Sequence, residues 1–139
     1  MIAETATLSV PTNGRGTYEI TGRVAECVAR SGLRAGLATV FIRHTSASLI
    51  VYENADRSAR VDLEAFFARL VPERADYFTH TLEGDDDMPS HLRMVLTRTS
   101  ECIPVADARL ALGAWQGVFV YEHRTRSHRR EVVVSLLGE

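Results

Sequence analysis

Histidine and carboxylate are the side chains of this sequence best able to bind a metal or move a proton, and they cluster unevenly. His80 and His91 bracket the acidic run Glu83-Gly84-Asp85-Asp86-Asp87. Imidazole nitrogen is the commonest transition-metal ligand, but a separation of eleven residues matches no compact motif such as HExxH. Metal chemistry therefore needs a third group from elsewhere in the chain. His44 is the candidate, because three imidazoles with one position left to water form a catalytic geometry. Such a set favours a divalent zinc-like ion, whereas Mg prefers oxygen ligands. The acidic run by itself reads as a solvated loop.

Four other segments carry polar chemistry. In Arg43-His44-Thr45-Ser46-Ala47-Ser48 alternate residues of an extended chain share a face. His44, Ser46 and Ser48 then line one side, which is either solvated or part of a polar site. Glu53-Asn54-Ala55-Asp56 precedes a helix that Asp56 can cap, and free N–H groups at a helix start also suit an anion. Asp62 follows on the same helix, and Asp62 or Glu53 could act as base toward water. Trp115, followed by Gln116, lies between Gly113 and Gly117. It either packs at a strand start or walls a pocket in which Gln116 supplies a hydrogen bond. The stretch Arg124 to Arg130 holds four arginines and no aromatic residue. It reads as a charged hairpin tip with His123 and His128 on the surface, and not as a nucleic-acid site, which would interleave aromatics for stacking.

The elements that must position these groups follow from pattern. Thr5 to Val10 is expected as a strand, and Asn13-Gly14 as the tightest part of a turn. Thr21 can cap a helix carrying Val24, Cys27 and Val28 on one stripe, which Gly32 stops. Strands are expected over Leu37–Arg43 and His44–Tyr52. A second helix runs to about Leu70, with Val61, Phe66 and Leu70 inward, and Pro72 closes it. A third, short helix over His91 to about Arg98 is capped by Ser90. Ser100–Ala106 reads as a strand whose Pro104 suits an edge or bulge. Gly117–His123 and Glu131–Leu137 are the last strands. Their runs Val118-Phe119-Val120-Tyr121 and Val132-Val133-Val134 are apolar on both faces, so both faces need cover, from another layer or another subunit.

These patterns predict one α+β domain, residues 1–139, with a β-sandwich-like core and flanking helices. Its 45% apolar and 24% charged residues fit a globular domain, and its net charge of −2 asks for no nucleic acid. All 16 basic residues are arginine, so lysine Schiff-base chemistry is excluded. Anion recognition then falls to guanidinium, backbone amide or metal. Cys27 and Cys102 fit no CxxC pattern and are expected as buried thiols in a reducing compartment. The first residues lack the pattern of a signal peptide and no run is long enough to span a membrane, so a cytoplasmic location is expected.

In order and spacing the chain resembles the YjbQ family. The residues that carry the resemblance are Thr21, Ser31-Gly32, Gly36, His44-Thr45-Ser46-Ala47, Glu53-Asn54, Asp56 and Asp62-Leu63, then Pro72, His80 and His91-Leu92. Ile103-Pro104-Val105, Leu112-Gly113, Trp115-Gln116, Arg130 and the closing valine strand complete it. The resemblance implies a homotrimer packed around a threefold axis, with a site near the subunit boundary built from His44, Ser46, Asn54, Asp62, His80 and His91. Glu53 joins Ser46, Asn54 and Asp62 as candidate catalytic residues. Ser48, Trp115, Gln116 and Arg130 are candidates for holding a small phosphorylated metabolite, and His44, His80 and His91 for holding the metal. The implied activity is secondary thiamine-phosphate synthase: an aminopyrimidine pyrophosphate joins a thiazole phosphate and pyrophosphate leaves. The alternatives are a trimer that binds metal or phosphometabolite without turnover, and a metal-dependent hydrolase. Two positions depart from the family's pattern: Ala114 stands where threonine is usual, and Asp87 where a residue such as asparagine is expected.

Overall fold

A computed structural model describes residues 1–139. In chain order the elements are β1 (Ile2–Asn13), β2 (Gly16–Glu19), α1 (Thr21–Ser31), β3 (Gly36–Ile42), β4 (Ala47–Glu53) and α2 (Arg57–Leu70). They continue with α3 (Asp87–Leu96), β5 (Ser100–Ala106), β6 (Arg109–Leu110), β7 (Gln116–Glu122) and β8 (Ser127–Gly138). Two antiparallel sheets result, ordered β1-β8-β3-β5-β6 and β2-β7-β4. No helix is long and apolar enough to cross a membrane.

Period-two patterning explains how the larger sheet packs. Ala38, Val40 and Ile42 of β3, Ile103 and Val105 of β5, and Val132, Val134 and Leu136 of β8 all point into one core. There they meet Leu49, Val118 and Val120 of the smaller sheet and Val24 and Val28 of α1. The α1 stripe is the one the i, i+3, i+4 spacing predicts. Its N-terminus is set differently from the sequence expectation. Ile20 occupies the cap position without a side-chain hydrogen bond. Thr21 Oγ1 instead donates to Glu19 Oε2 at 2.8 Å and accepts from the Val118 amide at 2.9 Å, which ties α1 to β7. Gly32, at φ 76°, ends the helix in the left-handed conformation that glycine adopts without a Cβ clash.

β7 is buried on both faces, as its unbroken apolar run requires. Val118 and Val120 enter the main core, while Tyr121 meets Phe67 and Val71 of the α2 segment. Phe67 and Tyr121 pack edge to face at 5.7 Å between centroids. Here the inward face of α2 departs from expectation. Phe67 is the buried residue, and Val61, Phe66 and Leu70 lie on the outer side, Phe66 at 57% exposure. The second face of β8 also stays uncovered in the single chain: Leu137, with Leu37 and Phe41 of β3, is exposed. Cys102 is exposed on the same outer surface rather than buried, and Cys27 is half-buried.

Several boundaries move for physical reasons. β1 and β8 run far beyond their apolar centres because they pair along their whole length, Ile2 with Gly138 through Asn13 with Ser127. α3 starts at Asp87, three residues before the expected Ser90 cap; Ser90 lies inside the helix, and its hydroxyl donates to the Asp87 carbonyl. Asp56 does cap α2, accepting from the Ser58 amide at 2.9 Å. β3 crosses the end of β8 with Gly36 against Gly138. A Cβ on Gly36 would collide with the Leu137 carbonyl oxygen and the Gly138 Cα. Gly36→Ala is expected to destabilise the fold by about 2 kcal/mol or more, read as a lower midpoint in urea unfolding, whereas Gly22→Ala, which meets nothing within 4 Å, should leave that midpoint nearly unchanged.

Candidate functional site

The β7–β8 turn and the start of α3 are held together by charge. Arg124 Nη1 donates to Asp87 Oδ1 at 2.8 Å, and Arg124 Nε to Asp86 Oδ2 at 2.9 Å. The Thr125 amide also donates to Asp86 Oδ2, at 2.9 Å. Burial raises the Asp86 carboxyl, but the Thr125 amide and the Arg124 guanidinium outweigh it and hold it at about 2. Asp87 is 2% exposed. The end of the acidic run, Asp86 and Asp87, is therefore a built ion-pair corner, while Glu83 to Asp85 are the exposed loop that composition predicts.

Asp87 and His91 are four residues apart on α3, so they share a face. His91 Nδ1 lies 2.6 Å from the Thr45 carbonyl oxygen. A carbonyl can only accept, so Nδ1 carries the proton, and in the neutral ring Nε2 is left with its lone pair. That Nε2 sits 3.4 Å from Asp87 Oδ2, and His80 Nε2 sits 2.8 Å from the same oxygen. No other polar group of the chain meets Asp87 Oδ2. The ligand atoms of His80, Asp87 and His91 all lie within 4.8 Å of one another. A backbone carbonyl that fixes the tautomer of one imidazole, and an arginine that orients the carboxylate, are the usual supports of a metal centre.

His44 is not in this group, which corrects the expected three-imidazole set. Its Nε2 accepts from the Glu131 amide at 2.8 Å, so that lone pair is engaged in joining the β3–β4 connection to β8. Burial, then the charge of Arg130, lowers its pKa and keeps the ring neutral. Asp87, not His44, stands with His80 and His91. Its signal in the sequence was the i, i+4 pairing with His91, which became readable only once the helix began at Asp87.

The remaining candidates are dispersed. Ser46 Oγ accepts from Arg130 Nη2 at 2.9 Å, and Arg130 is buried against Glu122, with Nε 2.8 Å from Oε1. Thr12 Oγ1 donates to the same Glu122 oxygen at 2.6 Å. Arg130 thus serves an interior ion pair rather than an open substrate pocket. Ser48 is also interior, bonded to His123 Nε2 at 2.8 Å and to Thr97 Oγ1 at 2.6 Å. Glu53 Oε2 accepts from the Asp56 amide at 2.9 Å. Glu53 lines a groove with Asp56, Arg57 and Trp115, and Trp115 is 67% exposed, so it walls a groove instead of packing. Gln116 Oε1 accepts from the Gly113 amide at 2.8 Å, and Asn54 Nδ2 donates to the Gln116 carbonyl at 3.4 Å. Asp62 lines a second groove with Phe66 and Leu70 on the outside of α2. His80 lines a third, with Arg74, Thr81, Gly84 and Asp85.

The arginine-rich turn is also corrected. Arg124 and Arg130 are buried in ion pairs, and His123 is fully buried, with its ring against Tyr121 at 4.4 Å. His128 is half-buried, its Nδ1 donating to the Arg126 carbonyl at 2.9 Å.

Comparison with known proteins agrees with this architecture. The family model described as UPF0047 protein YjbQ-like matches residues 6–139. The UPF0047 protein sll1880 of Synechocystis is 52% identical over 132 residues, spanning 95% of this chain and 90% of its own length. UPF0047 protein YjbQ of Escherichia coli is 38% identical over 134 residues and 96% of each chain. Among solved structures, hypothetical protein APE1520 from Aeropyrum pernix has a TM-score of 0.88 at 29% identity, over 98% of this chain and 99% of that one. TT1486 from Thermus thermophilus has a TM-score of 0.84 at 35% identity, over 95% and 99%.

The buried His123 makes stability depend on pH. Burial, then the charges of Arg93, Arg130 and Arg15, lowers its pKa from 6.5 to about 3. Below the unfolded value the unfolded chain takes up a proton that the folded ring refuses, so stability falls as pH drops from 6.5 toward about 3. The expected contribution is about 1.4 kcal/mol per pH unit across that window. His123→Gln should remove one proton's worth of slope in urea unfolding series, and an unchanged slope would show that His123 is not the group responsible.

Proposed function

We propose, for a chain that belongs to the UPF0047 YjbQ-like family, that His80, Asp87 and His91 hold a divalent ion which serves a reaction on a small phosphorylated substrate. The observation that carries this reading is the buried Asp87 Oδ2, which faces two imidazole nitrogens, His80 Nε2 at 2.8 Å and His91 Nε2 at 3.4 Å. A buried carboxylate calls for positive charge beside it, and a cation shared with the two rings supplies it. The donor set fits the group: two nitrogens and one carboxylate oxygen suit a zinc-like ion and leave positions for other ligands. When bound, such an ion supplies Lewis acidity toward an oxygen of substrate or water. The chain's own residues do the positioning: Thr45 fixes the His91 tautomer and Arg124 orients Asp87.

The substrate class follows from neighbouring charge. A groove lined by Arg124, Arg126 and His128 shares Gly84 with the groove of His80. Guanidinium and imidazole beside the metal position suit a phosphate group. Nitrogen ligands disfavour magnesium, so metal-assisted hydrolysis is the first reaction to assay and thiamine-phosphate synthesis the second. Glu53 and Asp62 line grooves of their own, so either would reach the centre as a base only from a neighbouring subunit.

That requirement and the exposed outer face of α2 favour the homotrimer. Val61, Phe66 and Leu70 present an apolar surface that a single chain leaves in water. Light scattering is expected to give three chain masses for the purified protein. Phe66→Glu should lower that mass while circular dichroism stays unchanged, and a wild-type chain that is monomeric would refute the assembly.

For the metal centre, zinc-loaded protein is expected to retain about one ion per chain by elemental analysis. Asp87→Asn, His80→Ala and His91→Ala should each weaken zinc affinity by at least about tenfold, and His44→Ala should not. Equal zinc retention by a His80→Ala/His91→Ala double variant would rule the centre out, whatever activity is measured.

A further inference from the structure

Trp115 is the chain's only tryptophan, and the fold holds it out in water. Its backbone sits in a closed turn. The Gln116 amide donates to the Gly113 carbonyl at 3.0 Å, and the Asn54 amide donates to the Trp115 carbonyl at 3.2 Å. Gln116 Oε1 accepts from the Gly113 amide at 2.8 Å, which closes the turn a second time. These bonds fix where the indole stands, yet the residue is 67% exposed. No aromatic ring and no guanidinium of the chain packs on its face. A large apolar ring that is both fixed and uncovered is a surface suited to a ligand.

The rest of the groove sets the charge of that ligand. Glu53, Ala55, Asp56 and Arg57 line it together with Trp115, around a space of about 600 Å³, room enough for a small molecule. The start of α2 does not favour an anion there, because its own carboxylates have taken the nearest donors. Glu53 Oε2 accepts from the Asp56 amide, and Asp56 Oδ1 from the amide and the hydroxyl of Ser58. Each carboxylate is thereby held by one oxygen, while Glu53 Oε1 and Asp56 Oδ2 accept nothing from the chain. The Ser58 hydroxyl and amide also hold the Asp56 carboxyl below its ordinary range, so it stays ionised at neutral pH. Arg57 does not neutralise the pair: no ion pair of the chain includes Glu53, Asp56 or Arg57. Two carboxylates against one guanidinium leave the groove net negative. Exposed carboxylates alone are content with water and simple counter-ions. An indole in the same wall adds attraction for a cation whose charge is clothed in carbon, which meets an aromatic face at little cost in lost hydration.

We propose that the Trp115 groove binds a small organic cation, a quaternary ammonium or an N-alkylated aromatic ring, with the indole against its apolar surface and Glu53 and Asp56 beside its charge. The groove shares no residue with the His80, Asp87 and His91 centre, so either site can fail without the other.

Because Trp115 is the only tryptophan, its fluorescence reports on this groove alone. The full chain is titrated at neutral pH and fixed ionic strength with choline, N-methylpyridinium and the neutral tert-butyl analogue of choline, with calorimetry as a second readout. Choline or N-methylpyridinium is expected to bind saturably, about tenfold or more tighter than the neutral analogue. Tighter choline identifies a compact ammonium ligand, and tighter N-methylpyridinium a flat aromatic one. Glu53→Gln and Asp56→Asn, the latter keeping an oxygen to cap α2, should each weaken the tighter probe by about threefold. Trp115→Leu, read by calorimetry, should weaken it by about fivefold or more. Trp115→Leu changes an exposed side chain and decides alone should a carboxylate variant fail to fold. Absence of saturable binding by both cations would overturn the proposal, as would equal binding of choline and its neutral analogue. So would affinity unaltered in Trp115→Leu, or in a folded Glu53→Gln/Asp56→Asn double variant. An indole shielded from acrylamide quenching in the free wild-type protein would also overturn it, by showing that another copy of the chain covers the groove.

Discussion

Removing a carboxylate from water is tolerated only where donors and opposite charge replace the lost hydration. Asp87 meets that constraint on one side alone. Arg124 satisfies Oδ1 and, through Asp86, fastens the β7–β8 turn to the start of α3. Oδ2 is left facing His80 and His91. The start of the helix, the direction of the turn and the meeting of two distant histidines all follow from this corner. Without Arg124 the corner would hold a doubly uncompensated carboxylate, and α3 would lose the contact that sets where it begins.

β7 does comparable work inside the molecule. Because Val118 and Val120 face one layer while Phe119 and Tyr121 face another, the strand joins the main core to the helical side. His123 and Glu122 extend it into a polar interior where Ser48, Thr12 and Arg130 complete the hydrogen bonds. The candidate metal centre stands at the start of α3, against the β7–β8 turn.

The framework was legible in the sequence wherever local pattern and tertiary packing agree. The α1 stripe, the Asp56 cap, Gly32 and the unbroken apolar run of β7 each have a local cause, and each appears as expected. Residues whose role depends on distant partners were not legible. Nothing local distinguishes Phe67 from Phe66 as the inward residue of α2; the position of Tyr121 decides it. Arg124 and Arg130 looked like surface charge because their carboxylate partners are far away in sequence or hidden in an acidic run. His44 stands apart from His80 and His91, and Asp87 beside them, for the same reason: a backbone amide of β8 holds the one, and α3 aligns the other with His91. The resemblance to the family pointed to these segments, while the neighbours of each side chain follow from three-dimensional pairing.

The absence of lysine gives the interior an asymmetric response to its surroundings. Its permanent cations are guanidinium groups, Arg93, Arg124 and Arg130, and these keep their protons far into alkali. The adjustable charges beside them are carboxylates and imidazoles, which change state on the acidic side, and the Tyr121 phenol, which burial and Glu64 push up, further into alkali. The buried framework is therefore deaf to base and responsive to acid, so an acidified compartment would act on it as an alkaline one would not.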